Sequence, residues 1–308
     1  MKTPEEMGYP GYGYAETYIQ AALDNYGGCQ LGPNVYPISN TVYLHNKNVI
    51  RGYGPSSRVQ SLQDIRLFEI AGNNITLQDF EIGGYGGATE QYGVWLGGSG
   101  TGSMTDYYGI SILNVYFDQP KSAGIHVQYN VPANFRTGIT AINCRTLGCD
   151  WGYVFEERGE YNSFVSCHAY ENTLGGWYNR GGNNSWLGGS LTYNPIGIKL
   201  VGGINDGHSH MQGATLNHNV VSIMSDGLAN GYEFLGCDIH VGDINIQDSQ
   251  KIRFNGGAID FDTDSLIISG SSVSFLGVDM LNTTNFTVTG STIKCNLNTF
   301  TTTPNWCE

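Results

Sequence analysis

The chain has 308 residues, of which 44 are Gly and 20 Tyr, and only 13% are charged. So much Gly beside so many aromatics excludes both a disordered and a helical protein, and no apolar run approaches the ~20 residues of a membrane span. A net charge of −13 and a pI near 4.8 argue against nucleic acid or anionic membrane as partners, since both need basic surface, and mildly against a strongly polyanionic substrate.

Residues 1–14 are rich in Gly, Tyr and Pro and read as an irregular lead-in. Met1-Lys-Thr-Pro-Glu-Glu6 lacks the apolar segment of a signal peptide, so an extracellular role implies export without such a leader or a trimmed N-terminus. Ala15 to Asn25 is the one good helical stretch, with Tyr18, Ile19, Ala22 and Leu23 on one face and Gly27-Gly28 to end it. Three short strand signals follow, at Asn34-Val-Tyr-Pro-Ile38, Thr41-Val-Tyr-Leu44 and Asn48-Val-Ile-Arg-Gly-Tyr-Gly54. Residues 83–107 interrupt the strand pattern with a Gly-rich insertion carrying Tyr85, Tyr92, Trp95 and Tyr107, with Tyr108 just beyond. Loops on a rigid body often carry function, so this one is a candidate sugar-contacting wall, with Trp95 its largest ring.

From residue 162 the chain repeats itself. Asn162-Ser-Phe-Val-Ser-Cys-His-Ala-Tyr-Glu-Asn172 aligns with Asn184 to Asn194 and, with Met211 under Trp186, with His210 to Asn219, at offsets of 22 and 25 residues. The frame continues at Phe234, Phe254 and Phe275, and runs back to Ala141-Ile-Asn-Cys144 and Ile112-Leu-Asn-Val115. A period in the low twenties with no helical spacing inside it implies stacked coils of short strands. The expected fold is all-β: a single-stranded parallel β-helix over 31–295, behind a lead-in and capping helix over 1–30, with a terminal cap over 296–308. The closing Asn of each copy (Asn172, Asn194, Asn219) suits a left-handed turn and can hydrogen-bond from coil to coil. Cys144, Cys167 and Cys237 fall on inward positions as small core residues, whereas Cys295 and Cys307 are near enough in sequence to pair. Cys144 and Cys149 lack a second pair at zinc spacing, so no metal site and no cofactor is expected.

Ile19-Gln-Ala-Ala-Leu-Asp24, Gly27-Gly28, Val35-Tyr-Pro-Ile38 and Val49-Ile-Arg-Gly-Tyr-Gly54, taken in that order, resemble the opening of pectate-lyase-superfamily right-handed β-helices. The resemblance covers nearly the whole chain and is specific for fold. Many members are bacteriophage tailspikes and polysaccharide depolymerases, usually trimeric. The resemblance therefore implies a homotrimer, a bacterial surface polysaccharide as partner, and a virion-tail or extracellular location. Against the usual form, no N-terminal virion-attachment domain is expected within these residues.

A second strand per coil follows each closing Asn: Gly152 to Glu157, Gly175 to Arg180, Gly197 to Val201, and further down Asp243 to Gln247. Side chains alternate along a strand. With Tyr153, Phe155, Tyr178, Ile198 and Leu200 taken as inward, the outward column reads Val154, Glu156, Trp177, Asn179, Lys199, Asp243 and Asn245. A carboxylate, an indole, an amide and an amine stacked at ~4.8 Å per rung suit a carbohydrate groove, so Trp177, Asn179, Arg180, Lys199 and neighbouring Tyr178 are candidate substrate contacts.

Glycosidic hydrolysis needs two carboxyl groups, about 5 Å apart for retention or about 6.5–9.5 Å for inversion, and stacked rungs supply either spacing. Glu156 and Glu157 lead as the acid/base region, beside Arg158 and Glu160, with Glu171 and Asp150 as partners; for each one alone, a solvated turn carboxylate is the commoner outcome. Two further clusters, Asp206-Gly-His208-Ser-His210 with His218, and Asp260-Phe-Asp262-Thr-Asp264, offer metal or acid/base chemistry but read more simply as polar turns. A lyase would need a cation on the uronate carboxylate and a basic group, and 14 Lys and Arg in all make that second choice. Three functions compete: a depolymerase, a non-cutting glycan-binding spike and a structural appendage. The aromatics disfavour the last.

Overall fold

The structure, a computed structural model, describes residues 1–85, 87–97, 107–128, 137–157, 159–203, 206–262, 264–282 and 285–296, with backbone alone at 299–300. It is a right-handed parallel β-solenoid of about 11 turns preceded by one short helix. One sheet of 20 strands wraps two flanks, and a second sheet of 11 strands closes the coil. Every inter-strand pairing within it is parallel, as a chain climbing one coil per repeat requires.

The helix, α1, spans Glu16–Tyr26 and ends at Gly27, whose left-handed φ of 69° turns its N–H back to the Leu23 carbonyl. Ile19, Ala22 and Leu23 are buried, closing the apolar end of the first coils.

The repeat frame holds rung by rung. Ala141 lies against Phe164, Phe164 against Trp186, Trp186 against Met211, Met211 against Phe234, then Phe254 and Phe275. Phe164 stacks on Trp186 at 5.2 Å, and Phe254 sits 4.9 Å from both Phe234 and Phe275. Each of these rings is essentially excluded from water, which stabilises by about 1.5–3 kcal/mol per side chain. Cys144, Cys167 and Cys237 are buried between them. Cys307 lies outside the described residues, and with it the expected pairing to Cys295.

Asn172, Asn194 and Asn219 form a buried ladder: Asn194 and Asn219 Oδ1 each accept from the backbone N–H and Nδ2 of the Asn one coil earlier, at 3.0 to 3.2 Å, and Asn172 Oδ1 accepts from the Cys149 N–H. Their backbone is not left-handed, contrary to the sequence expectation. The corner is made one residue earlier by Glu171, Tyr193 and His218, with φ of 48°, 57° and 52°. That bend lets the following Asn side chain point along the solenoid axis and pair with its neighbours.

Residues 83–107 are not one continuous insertion. Tyr92–Leu96 is a regular strand of the second sheet, pairing with Arg66–Ile70 on one side and Ala123–Val127 on the other. Residues 98–106 lie outside the described residues.

Candidate functional site

The second sheet presents one outward column: Glu69, Trp95, His126, Val154, Tyr178, Lys199, Met224 and Asn245, each opposite the next. The inward column beside it runs Phe68, Val94, Ile125, Tyr153, Trp177 and Ile198. Trp177 and Asn179 are therefore core residues with no exposure, not groove residues as the sequence pattern suggested. Within Gly175–Asn179 the alternation is one residue out of the expected phase, and such a slip exchanges the two faces. The indole buries more apolar surface than the phenol, and it packs 5.3 Å from Trp186 and 5.7 Å from Phe164. Tyr178 takes the outward place instead. Trp95 does lie in the outward column but is only 2% exposed, because the Arg66 guanidinium lies 3.3 Å above its ring. It offers no free sugar platform.

Two cavities lie along this face and meet at Tyr92. The upper, about 300 Å³, is lined by Tyr92, His126, Asp150, Trp151, Glu156 and Tyr178 among others. The lower, about 410 Å³, is bounded by Tyr43, Asp64, Arg66, Glu69, Glu90 and Tyr92. The Trp151 and Tyr178 rings meet edge-on at 5.6 Å, and the Tyr92 ring meets His126 at 4.9 Å. Gly175, opposite Trp151, is what admits that indole: a Cβ there would sit 2.2 Å from the ring.

His126 Nε2 and Glu156 Oε1 lie 3.1 Å apart in the upper cavity. Asp150 closes the other end, holding the Lys121 ammonium at 2.6 Å and accepting from the Thr173 hydroxyl at 2.6 Å. Asp150 and Glu156 bracket the strand Trp151–Phe155, so about 20 Å of extended chain separates them, too far for a two-carboxylate pair. Glu157 is 3% exposed and faces Arg180 Nη2 at 3.5 Å, away from the cavity. Glu171 sits at the left-handed corner outside it, where its hydrogen bond raises the Tyr170 phenol. Lys199 Nζ hangs 5.9 Å above the Tyr178 ring. Burial pushes the Tyr92 phenol up to about 12 and raises Tyr178 as well, so both are neutral hydrogen-bonding groups near neutral pH.

His126, Trp151 and Tyr92 had not been singled out as acting together. The available signal was the apolar strand Ala123–Val127, one coil before Trp151–Phe155, which aligns a His beside Glu156. A third feature lies on the other sheet: the Arg58 Nη1 group bridges Glu81 and Asp118, the latter at 2.9 Å. Burial raises the Glu81 carboxyl despite that guanidinium. The two remaining acidic clusters hold turns. Asp206 is buried and accepts from the N–H groups of Ala229 and Asn230, and Asp264 accepts from that of Gly242. Arg158 lies outside the described residues.

No protein-family model and no curated protein matches the sequence. Solved structures do match in fold. The catalytic unit of a GH87 alpha-1,3-glucanase from Streptomyces thermodiastaticus superposes with a TM-score of 0.70 at 13% identity, over 99% of this chain and 70% of that one. The tailspike of Escherichia coli bacteriophage HK620, in complex with a pentasaccharide, gives 0.67 at 11% identity, over 94% and 62%. The enzymatically active domain of tailspike protein 2 of bacteriophage CBA120 gives 0.60 at 15%, over 95% of this chain and 46% of that one, so the chain spans about half its length. At these identities the likeness defines the class: a right-handed parallel β-helix whose solved neighbours are tailspikes and polysaccharide enzymes. Among the described residues no helix is long and apolar enough to cross a membrane.

Proposed function

We propose that the chain is a tailspike-like, polysaccharide-cleaving β-helix. It lays a bacterial surface glycan along the outward face of the second sheet and cuts a glycosidic bond there, with Glu156 as the proton-transferring carboxyl. The observation that carries this reading is the convergence of Glu156, His126, Trp151 and Tyr178 on one cavity that continues past Tyr92 into the next. The aromatic edges and faces suit pyranose rings, with Tyr178 and Lys199 as partners for hydroxyl groups. Glu156 protonates the glycosidic oxygen, and His126 Nε2, 3.1 Å away, holds that carboxyl and exchanges its proton. The second carboxyl comes from a neighbouring copy in a homotrimer. Such a protein works at a virion tail or outside the cell.

The test is incubation with a panel of capsular and O-antigen polysaccharides and mass spectrometry of the products. A saturated reducing end marks hydrolysis, and Glu156→Gln is expected to lower its rate at least ~100-fold without loss of fold. Full activity in that variant removes Glu156 from the mechanism. A 4,5-unsaturated end marks a lyase, a reading disfavoured by the raised Tyr92 and Tyr178 phenols, which make poor bases. One observation favours a non-cutting glycan-binding spike as second reading: about 20 Å of extended chain separates Asp150 from Glu156, and Glu157 turns to Arg180, away from the cavity. Retention of a polysaccharide with no product selects it.

A further inference from the structure

We propose that this groove selects glycans by charge, taking repeat units that are neutral or carry an amino group and rejecting polyuronates and other acidic polymers. The inference rests on reading this face as a glycan groove.

The lower cavity sets three carboxylates, Asp64, Glu69 and Glu90, against a single base, Arg66. That base is already engaged: its guanidinium covers the Trp95 ring at 3.3 Å and pairs with Glu69 at 3.2 Å. Asp64 accepts from the Thr89 hydroxyl at 2.6 Å and from the Thr89 and Glu90 N–H groups, and those bonds hold its carboxyl below the usual range, so it stays charged. Glu90 accepts from the Tyr92 hydroxyl at 3.1 Å, on the wall that both cavities share. In the upper cavity the Lys121 ammonium is taken up by Asp150 at 2.6 Å, and His126 Nε2 lies 3.1 Å from Glu156.

Among the described residues, the groups lining the lower cavity thus carry a net negative charge. Carboxylates accept strongly from sugar hydroxyls and from ammonium groups, whereas a uronate at each repeat brings like charge to a wall whose lining base, Arg66, is already paired. The lyase chemistry set aside above would need such a uronate, and the charge pattern argues against it independently of the tyrosines.

The experiment is an array of capsular and O-antigen polysaccharides sorted by repeat-unit charge, probed at physiological salt with the full chain carrying Glu156→Gln so that ligands are not cut. Hits confined to neutral and amino-bearing polymers are expected. Binding of the best neutral hit should change less than about twofold between low and high salt, because no ion pair is being screened, whereas an amino-bearing hit should weaken as salt rises. An acidic polysaccharide bound as well as any other, with affinity falling tenfold or more at high salt, overturns the charge rule and leaves the glycan groove standing. An array with no hit in any class overturns both.

Discussion

Asn194→Leu is the sharpest test of the coil stack. Asn194 is 1% exposed, and its Nδ2 donates to the carbonyls of Ala169 and Thr192 at 3.1 and 3.0 Å and to Asn219 Oδ1 at 3.2 Å. Its Oδ1 accepts from the backbone N–H of Asn172 at 3.1 Å and from Asn172 Nδ2 at 3.0 Å. Leu fills nearly the same volume, so no water enters to replace those bonds. The Asn172 N–H loses its acceptor outright, its Nδ2 keeps only a 3.5 Å contact with Thr146, and the Ala169 carbonyl loses a donor. Each orphaned buried group costs about 1–3 kcal/mol, partly offset by the apolar gain of Leu, for a net loss of about 3–5 kcal/mol. Guanidinium unfolding followed by Trp fluorescence reads this directly, since Trp186 and Trp177 lie in the same coils. Transitions are measured from both directions, because a solenoid whose coils touch only their neighbours need not unfold in one step. Asn230→Ala, exposed and outside the ladder, is the control, expected within about 0.5 kcal/mol of the parent. If Asn194→Leu unfolds with the control, the ladder does not hold the coils together and the argument from stacked Asn fails.

Gly189→Ala should destabilise by about 2–4 kcal/mol, because the residue is left-handed and a Cβ would stand 1.9 Å from the Cys167 carbonyl oxygen; Gly213→Ala, left-handed in open space, should cost only about 1 kcal/mol, and equal losses would contradict the corner geometry. Tyr178→Ala should weaken glycan binding roughly tenfold, about 1.4 kcal/mol, while Trp177→Phe should leave affinity unchanged and lower thermal stability; isothermal titration beside melting curves separates the two, and the reverse pattern would restore Trp177 to the groove. The thiols of Cys29 and Cys237, pushed up to about 12 and about 11 by burial, should resist iodoacetamide at neutral pH in the folded protein and react once guanidinium unfolds it; rapid labelling of either in the native chain would contradict its place in the core.

The candidate site was legible only in part. Glu156 faces outward as the alternation implies, because Tyr153 and Phe155 fix the phase of the preceding strand from within, whereas no pattern gave Asp150 a face. Gly175-Gly-Trp-Tyr-Asn179 carries two aromatics in adjacent positions, and either could have pointed inward; pairing with Tyr153 on one side and Ile198 on the other chose Trp177. Trp95, expected in an inserted loop, sits in a strand of the second sheet and is covered, since nothing local to it announces the Arg66 guanidinium, which arrives from one coil earlier.

The sequence by itself determined the solenoid. A repeat of about 22 residues, closing on Asn and led by Phe164, Trp186 and Met211, leaves a chain no way to bury its apolar row except against its own next turn. Only the tertiary structure decided which side chains meet across turns: His126 beside Glu156, Tyr92 between two cavities, Arg58 between Glu81 and Asp118. Those partners are 23 to 60 residues apart, and their meeting depends on coil lengths that vary with every loop, so a shift of one residue anywhere below would have turned a different face to the groove.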